Sequence, residues 1–409
     1  MGSISASSSL IVELANAALA AAKELDKCLE SQGLPQPSFA ADGPTYVVPK
    51  DAPKAAQEAR IAAAEAAFKL FNLVTGPRAI EYGVLASEAK VPESQLKGVA
   101  RMAMTSSILA EPTPGQVAHT ASSAMFVKFP NMRDWAGYMF NASVPTAAAM
   151  VRATEKWPGS VKKTETAYNI AFDHDLPFFD HLSQSPLLTE QFSGYMKSVT
   201  DGQGMDLSHL IRGFDWAGLP ANSLVVDIGG STGHASFALA AAYSHLRFEV
   251  QDLDAVVNGQ EAGQKQEEAA QKHNAGSAAP VSFKAHSFFE PQPTTGAAVY
   301  MLRMIIHDWP DAEAKTILSN LVPALAATKS ILLIMDTVLP SPGILPSVRE
   351  RVIRTRDLTM RQVFNARERG IDDWEALLKA ADSRLHLQGV RQPEGSNMSL
   401  LTVGIQDDS

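Results

Sequence analysis

A histidine stands at the end of a mostly apolar run that is typical of a buried strand. The run Met301–Ile306 leads directly into His307, Asp308, Trp309 and Pro310, and an acidic helix start follows. An imidazole at the carboxyl edge of a strand can act as a general base, because its ordinary pKa of about 6.5 lies near neutrality. A structural histidine that closes a core strand would show the same pattern, so the other chemically capable residues decide between the two interpretations.

Two acidic residues are predicted to reach the same edge as His307. Asp336 ends the next strand, in SILLIMDTVLP, and Glu368 follows in FNARERG. One imidazole flanked by two carboxylates indicates a general base whose tautomer is fixed by its acidic neighbours. Asp308 and Trp309 are expected to have structural roles, in capping the next helix and in filling core. Together with Asp336 and Glu368, His307 is therefore predicted to be catalytic rather than structural.

A glycine-rich turn predicts a cofactor site on the same sheet. VVDIGGSTGH joins a strand to a helix and contains Asp227, Gly229, Gly230 and Gly233. Glycines there let the backbone approach a ligand closely. The spacing is not that of a dinucleotide fingerprint, and a pyrophosphate would avoid Asp227. A cationic cofactor, S-adenosylmethionine (SAM), is therefore indicated, although a plain structural turn would also use glycines.

The elements that position these residues form an α/β domain. From residue 216 to 409, short apolar runs alternate with helical segments, which predicts a doubly wound, mainly parallel, Rossmann-like sheet. Asp252 falls near the end of the second strand, LRFEVQDL. Doubly wound folds place an acid at that position to bind ribose hydroxyls, so Asp252 is predicted to bind the cofactor.

The chain before this domain divides into three predicted parts. Residues 1–60 hold one amphipathic helix, Leu10–Cys28, and an arm without periodicity. Residues 61–125 are typical of an all-helical or winged-helix unit, whose second helix, Glu93–Leu109, has only Lys97 and Arg101 as basic residues. This helix is therefore predicted to have a structural or dimerising role rather than to read DNA. Residues 126–215 form a helical, aromatic-rich linker that could be core or line a hydrophobic pocket.

Composition excludes several classes of partner. The 409 residues carry a net charge of −9 without a basic run, so a nucleic-acid partner is not expected. No unbroken apolar stretch approaches the ~18 residues of a membrane span. One cysteine, Cys28, excludes an intrachain disulfide framework and indicates a reducing, cytoplasmic setting.

These motifs together resemble one enzyme family. VVDIGGSTG, QDL, AHSFF, RMIIHDWPDAEA, LIMDTVLP and FNARERG occur in the order of the plant- and fungal-type SAM-dependent O-methyltransferases. The chain resembles caffeic acid O-methyltransferase and, more closely, the fungal polyketide O-methyltransferases, over roughly residues 60 to 405. The resemblance implies a winged-helix dimerisation domain, a Rossmann-like methyltransferase domain, a homodimer built through the N-terminal region, and catalysis without a metal.

The resemblance also assigns roles to individual residues. His307 matches the catalytic base, and Asp336 and Glu368 match the acids that flank it. The matched cofactor positions are Asp227, Gly229, Gly230, Gly233, Asp252, Ser287, Phe288 and Arg303, with Gly229 and Asp252 at the methionine moiety and ribose and Arg303 beside the adenosine. The matched substrate positions are Phe192, Met196 and Met360.

Three departures from the family pattern are present. Ser287 in AHSFF replaces the usual aspartate that receives the adenine amino group, and a hydroxyl accepts that bond more weakly than a carboxylate. Asp254 replaces a proline after the ribose acid. Gly370 follows Glu368-Arg369 where the family usually has threonine, and it is expected to alter that loop.

Two functions from different classes follow. The first is O-methylation of a phenolic or enolic hydroxyl on a small, polyketide-like metabolite. The alternative is a methyltransferase-like pericyclase or dehydratase that binds SAM without transferring its methyl group, as some fungal relatives of this family do. The intact histidine with two acids favours methyl transfer, whereas Ser287 and the altered loop keep the alternative open. A regulatory protein or transcription factor is disfavoured by the acidity of the chain.

Overall fold

The computed structural model describes residues 79–273, 280–345 and 347–406. The predicted helix Leu10–Cys28, the arm to residue 60 and the first part of the winged-helix unit lie outside these residues. The predicted domain boundaries at residues 61, 126 and 216 stay predictions.

The helices and strands are as follows. The strands are β1 (Ile80–Glu81), β2 (Leu109–Thr113), β3 (Gln116–His119), β4 (Leu224–Ile228), β5 (Arg247–Asp252), β6 (Val281–Ala285), β7 (Val299–Arg303), β8 (Ile331–Asp336), β9 (Leu385–Arg391) and β10 (Ser399–Ile405). The α-helices are α1 (Tyr82–Ala89), α2 (Glu93–Met104), α3 (Ala121–Lys128), α4 (Pro130–Tyr138), α5 (Val144–Lys156), α6 (Ala167–Phe172), α7 (Phe178–Ser183), α8 (Pro186–Thr200), α9 (Ser208–Gly213), α10 (His234–Ala242), α11 (Asp254–Val257), α12 (Ala262–Lys272), α13 (Asp311–Thr328), α14 (Ser347–Phe364) and α15 (Ile371–Ala381). A π-helix covers Met139–Ser143, and 3₁₀ turns cover Gln203–Met205 and Ile306–Asp308.

The large sheet is mainly parallel, as predicted. Its strand order is β6-β5-β4-β7-β8-β10-β9. Strands β4 to β8 pair in parallel, and β10 runs antiparallel to both β8 and β9. Its central strands are buried on both faces: Met301, Leu333 and Met335 belong to one core cluster, and Leu302 and Ile334 to another. Because β4, β5, β7 and β8 all end at one edge, that edge receives the predicted site residues.

A small antiparallel sheet belongs to the predicted winged-helix unit. Its order is β1-β3-β2, and helices α1 and α2 pack on it around Tyr82, Leu85 and Leu96. The second helix ends at Met104 rather than at Leu109, because Leu109 begins β2. Lys97 pairs with Glu93 at 2.6 Å and Arg101 with Glu111 at 3.1 Å, so both basic residues of this helix already have acidic partners.

Helices between residues 121 and 213 form a layer of their own. Helix α4 packs against α8, and α5 packs against α6 and α14. Gly194 allows the first contact to be close, since a Cβ at this position would lie 2.3 Å from the Cβ of Asp134. In the described part of the chain, no helix is long and apolar enough to cross a membrane.

Gly370 is the N-cap of α15, and its backbone is unstrained. Its φ of −76° and ψ of 175° are ordinary extended values, and its N–H donates to Asp373 Oδ2 at 3.1 Å. A Cβ at this position would meet Leu339 O at 3.5 Å, which is normal contact. Asp254 lies in the first turn of α11 and accepts a hydrogen bond from Asn258 at 2.8 Å. Both departures fit the local backbone.

Gly370→Thr is therefore expected to raise stability slightly. Threonine suits a helix N-cap and reduces the freedom of the unfolded chain, which together contribute about 0.5 kcal/mol. Urea unfolding of the wild-type protein and the variant measures the difference. A loss of stability instead would show that the loop needs glycine.

Candidate active site

One cavity of about 910 Å³ joins the carboxyl edge of the large sheet to the helical layer. Nine of the predicted site residues line it: Asp227, Gly229, Gly230, Arg303, His307, Glu368, Phe192, Met196 and Met360. The other five, which lie outside its lining, are Gly233, Asp252, Ser287, Phe288 and Asp336. Among the described residues, no group of three or more His, Cys, Asp or Glu side chains is arranged to hold a metal ion.

The glycine-rich turn forms one wall of the cavity. Gly229 has a φ of +73°, and a Cβ there would lie 2.6 Å from Ile305 Cδ1. Its N–H and that of Gly230 donate to Gln251 O at 2.7 and 3.2 Å, which ties the turn to β5. Gly233, also at positive φ, packs against Phe283 and begins α10, so its role is to shape the turn.

Two acids contact this turn or the helix that follows it. Asp227 is 2% exposed and accepts a hydrogen bond from Ser236 Oγ at 2.7 Å. Burial raises the pKa of Asp227 to about 6, against the hydrogen bond from Ser236 and the charge of Arg303. Asp252 accepts from Ser231 N at 2.9 Å and from Leu253 N at 2.8 Å, and burial raises its pKa. Asp252 thus holds the turn directly in the described structure.

The remaining predicted cofactor residues lie around the turn. Arg303, at the end of β7, donates from Nη2 to Met205 O at 3.0 Å, and its buried Nε has no hydrogen-bond partner in the described structure. Ser287 Oγ accepts from Phe289 N at 3.3 Å. Phe288 packs edge-on against Trp309 with ring centroids 5.5 Å apart. The structure therefore brings Arg303 into the cavity lining, which does not include Ser287 and Phe288.

His307 lies in a 3₁₀ turn just beyond β7. The prediction that the strand continues to Ile306 is wrong, because Met304 adopts a left-handed conformation, with a φ of +55°, and ends it. The turn Ile306–Asp308 then carries the imidazole to the cavity, while Ile306 anchors in the core. A non-glycine residue in this conformation is uncommon, which makes the abrupt end of the strand a specific feature of the site.

Arg369 binds the backbone of this turn. Its Nη1 donates to Ile306 O at 3.1 Å and its Nη2 to Trp309 O at 2.9 Å, so it binds the carbonyls on both sides of His307. The same guanidinium pairs with Asp311 at 2.7 Å and is itself buried. The expected capping role of Asp308 is wrong, because Pro310 is the N-cap of α13 and no side chain caps that helix. Trp309 packs against the core, as expected.

Carboxylates surround the imidazole. Nδ1 of His307 lies 3.1 Å from Glu368 Oε1, and Nε2 lies 3.6 Å from Asp308 Oδ1. Since a carboxylate only accepts, Nδ1 carries the proton and Nε2 is the nitrogen free to exchange one. Glu368 is fixed in turn by its own N–H, which donates to Asp357 Oδ1 at 3.0 Å. Asp336 is fully buried at the end of β8 and makes no hydrogen bond through either oxygen within the described structure.

These acids make His307 a much stronger base than an ordinary histidine. Burial alone would lower its pKa, but the charges of Glu368, Asp308 and Asp336 raise the pKa to about 10. Burial also raises the pKa of Asp336 to about 7, with His307 opposing and Glu368 adding to the shift. The acidic charges therefore favour the protonated form of His307, and burial favours the protonated form of Asp336.

The helical layer supplies an aromatic half of the cavity. Phe192 stacks edge-on with Phe178 at 5.3 Å between centroids, and Phe178 does the same with Phe364 at 5.2 Å. Tyr138 and Tyr195 stack at 4.9 Å. Met196 and Met360 line the same half. Rings and thioethers of this kind exclude water and suit a flat, apolar acceptor.

Sequence reasoning missed several residues of the site. Asp308 lines the cavity beside His307, and Arg369 binds the turn that carries it. Arg356 and Thr146 also line the cavity, the latter with a buried hydroxyl that has no partner in the described structure. Arg369 could have been noticed as a long cation between Glu368 and Gly370. Arg356 stands in an arginine-rich helix whose pattern does not show which arginine faces inward.

Comparison with known proteins gives the family. The model of the O-methyltransferase domain matches residues 159–383. The O-methyltransferase aurJ of Gibberella zeae is 71% identical over 440 aligned positions, covering 100% of both chains. The chain belongs to the O-methyltransferase family. The O-methyltransferase pgmB of Aspergillus terreus is 43% identical over 408 positions, covering 92% of this chain and 91% of the relative. A solved structure titled "A Pericyclic Reaction enzyme" has a TM-score of 0.66 at 25% identity, covering 86% of this chain and 88% of that one.

Family membership confirms several predictions. The fold class, the enzyme class and the cofactor are those of a SAM-dependent O-methyltransferase of fungal secondary metabolism. The roles of individual residues, the acceptor and the oligomeric state stay predictions.

Proposed function

We propose that this methyltransferase acts on a phenolic or enolic hydroxyl of a small, polyketide-like metabolite, with His307 as the general base. The observation that carries the proposal is the pairing of His307 Nδ1 with Glu368 at 3.1 Å in the wall of a cavity whose other half is aromatic. This pairing leaves Nε2 to receive a proton from an acceptor hydroxyl.

The cofactor half of the cavity suits a cation with an uncharged, flat end. Asp227 supplies a buried carboxylate behind the glycine turn, and the turn itself leaves no room for a side chain at Gly229. We assign SAM to Asp227, Gly229, Gly230 and Arg303 at the cavity wall. Gly233 and Asp252 shape the turn behind that wall, and Ser287 and Phe288 border the adenine side. When bound, SAM supplies an electrophilic methyl group on a sulfonium.

His307 then handles the acceptor proton. The neutral imidazole takes it at Nε2, and Glu368, with Asp336 behind it, stabilises the resulting imidazolium. Ionising a phenol with a pKa of about 10 at neutral pH costs about 4 kcal/mol. The raised pKa of His307 does not change this total cost. The neutral imidazole is scarcer at neutral pH, but it accepts the proton more readily once it has formed. General-base catalysis typically contributes roughly 10²–10⁴-fold, and alignment of the reacting atoms in a dry pocket adds the rest.

The acceptor half of the cavity determines which molecules can be aligned. Its walls come from three helices: Phe192 and Met196 of α8, Met360 and Phe364 of α14, and Phe178 of α7. Aromatic side chains on several helices form walls against which a fused-ring acceptor can stack. This supports a polyketide-like aromatic rather than a polar metabolite.

A specific observation favours a second candidate, the pericyclase or dehydratase. Both ring nitrogens of His307 face carboxylates, Nδ1 at 3.1 Å from Glu368 and Nε2 at 3.6 Å from Asp308, and these charges raise its pKa and favour the imidazolium. An imidazolium can donate a hydrogen bond to a rearranging substrate, which a general base in the same position cannot do. A homodimer through the N-terminal region remains part of the proposal, and light scattering of the purified protein tests it.

Mass spectrometry separates the two candidates. The protein is incubated with methyl-labelled SAM and a panel of phenolic and polyketide precursors. A product heavier by one labelled methyl group is expected. A product of unchanged mass, or one lighter by water, that forms only with the SAM-bound protein would contradict methyl transfer and establish the second candidate.

Glu368→Gln is expected to move the pH profile of methyl transfer to lower pH. The chemistry needs neutral His307, so the rate rises as pH increases through the His307 pKa. Removing the Glu368 charge, the largest influence that raises this pKa, should lower the midpoint by about one unit or more. The amide oxygen can still accept from Nδ1, so the tautomer is kept. Initial rates across pH, with saturating SAM, measure the midpoint; a midpoint that stays or rises would exclude His307 as the titrating base.

A further inference from the structure

Arg356 lies in the cavity wall without a carboxylate partner. It belongs to α14, and its Nη1 contacts Met205 Sδ at 3.0 Å. A thioether is a weak acceptor, whereas a guanidinium presents five donors. Within the described structure, no acidic side chain forms an ion pair with Arg356. Its neighbour Arg354, in contrast, pairs with Glu350 at 3.2 Å and donates to Pro340 O at 2.7 Å.

Of the three lysines in the cavity lining, two have acidic partners, whereas Lys197 has no ion pair within the described structure. Lys272 pairs with Asp201 at 3.1 Å, and Lys265 pairs with Glu261 at 2.8 Å. Burial lowers the pKa of Arg303, the charges of Asp227 and Asp336 oppose this shift, and the charge of Arg356 adds to it. Arg356 therefore differs from the two paired lysines, because it lines the cavity with a thioether as its hydrogen-bond partner.

The position of Arg356 places it on the acceptor side. Thr359 and Met360, one turn later on α14, line the cavity with it. Burial raises the pKa of the stacked Tyr195, and the charge of Arg356 opposes that shift. In the cluster around His307, other cations act on the acids. The charge of Arg369 lowers the pKa of Asp336, and the charge of Lys163 lowers that of Asp308, against the raising effect of burial. Arg356 thus lies beside the aromatic half, and it also neighbours Arg303, because both arginines contact Met205.

We propose that Arg356 binds an anionic oxygen of the acceptor, distinct from the hydroxyl that is methylated. This inference rests on the proposed function, because it assumes that the aromatic half of the cavity holds the acceptor. The planar guanidinium can bind a carboxylate or an ionised ring oxygen through two parallel hydrogen bonds. The aromatic walls exclude water and strengthen such a contact. Arg356 then selects aromatic acceptors that carry a second, acidic oxygen and fixes their orientation.

A binding experiment tests this selection without requiring methyl transfer. Protein saturated with S-adenosylhomocysteine is titrated by calorimetry with a dihydroxynaphthoic acid and with its methyl ester, which lacks the charge. We expect the wild-type protein to bind the acid more tightly than the ester. Arg356→Met should weaken binding of the acid by about tenfold or more and leave the ester within about twofold. Arg356→Lys should keep part of the preference, since it keeps the charge but loses the planar fork.

A matched control and a second probe complete the design. Arg351 lies on the same helix, is exposed and is not part of the cavity lining. The control variant Arg351→Met should therefore keep the preference for the acid. A trihydroxynaphthalene, titrated at about pH 6 and about pH 9, tells an ionised ring hydroxyl from a carboxylate as the preferred anion. Tighter binding at the higher pH that is lost in Arg356→Met would assign the ring oxygen.

Several outcomes would overturn the inference. Equal loss of acid and ester in Arg356→Met would make Arg356 a structural residue, and weaker binding of S-adenosylhomocysteine would assign it to the cofactor. A wild-type protein that binds the acid no better than the ester would also refute it. If the protein methylates the ester but binds the acid no more tightly than the ester, this inference alone is refuted. If the acid is preferred in an Arg356-dependent way but no methyl group is transferred, the proposed function alone is refuted.

Discussion

His307→Ala is expected to reduce methyl transfer by about 10²–10⁴-fold while leaving the affinity for S-adenosylhomocysteine within about twofold. The imidazole is the proposed proton acceptor, so its loss leaves ionisation of the acceptor to water. The backbone of the turn should survive, because Arg369 binds the Ile306 and Trp309 carbonyls rather than the imidazole. Single-turnover rates with excess enzyme and calorimetric titration of the cofactor product measure the two quantities.

A second variant makes this result specific. Asp252→Ala should weaken cofactor binding first, because Asp252 accepts the N–H of Ser231 and so holds the glycine turn. The rate at saturating SAM should change much less than in His307→Ala. If His307→Ala lowers cofactor affinity strongly, His307 is structural. If Asp252→Ala leaves that affinity unchanged, the turn that Asp252 holds does not bind the cofactor.

The sheet and its edge could be predicted because their sequence signals are local. Short apolar runs such as Leu224–Ile228 and Ile331–Asp336, separated by helices, require parallel strands that end together. Strands ending together bring Asp227 and His307 to one edge before any side-chain contact is known. The glycines of the turn follow from the same logic, since their backbone must pass close to neighbouring atoms.

The contacts of His307 could not be predicted in the same way. Periodicity does not distinguish a strand that continues to Ile306 from one that a left-handed residue ends at Met304. Nor does it show that Arg369 reaches back across the chain to the carbonyls beside His307. Such contacts depend on the packing of distant segments, and the same packing decides which arginine of α14 faces the cavity.

The pKa of His307 shows how much such contacts matter. An isolated imidazole would titrate near about pH 6.5, but the charges of Glu368, Asp308 and Asp336 raise the pKa to about 10. The sequence places Glu368 and Asp336 near the site, yet the shift depends on distances and burial that only the folded chain defines. The acids around His307 therefore make its neutral form a strong base, and they also favour its protonated form, which can donate a proton.

Arg369→Met is expected to lower the free energy of unfolding by about 2–4 kcal/mol and to reduce methyl transfer as well. Methionine fills a similar volume but donates no hydrogen bonds, so the carbonyls of Ile306 and Trp309 lose their partner, at about 1–3 kcal/mol for each group left buried and unsatisfied. The turn that carries His307 then loses its attachment. Urea unfolding and single-turnover rates of the same preparation measure the two effects.

Arg367→Met provides the matched control. Arg367 binds the same acid, Asp311, at 3.0 Å and also pairs with Asp373 at 3.1 Å, but its side chain is 36% exposed. Ion pairs of this kind contribute about 0–1 kcal/mol, so this variant should lose little stability and keep its rate. Because both arginines pair with Asp311, equal effects of the two substitutions would assign the role to that ion pair. A larger effect of Arg369→Met would instead locate the stabilisation in the two carbonyl contacts that fix the turn of the proposed base.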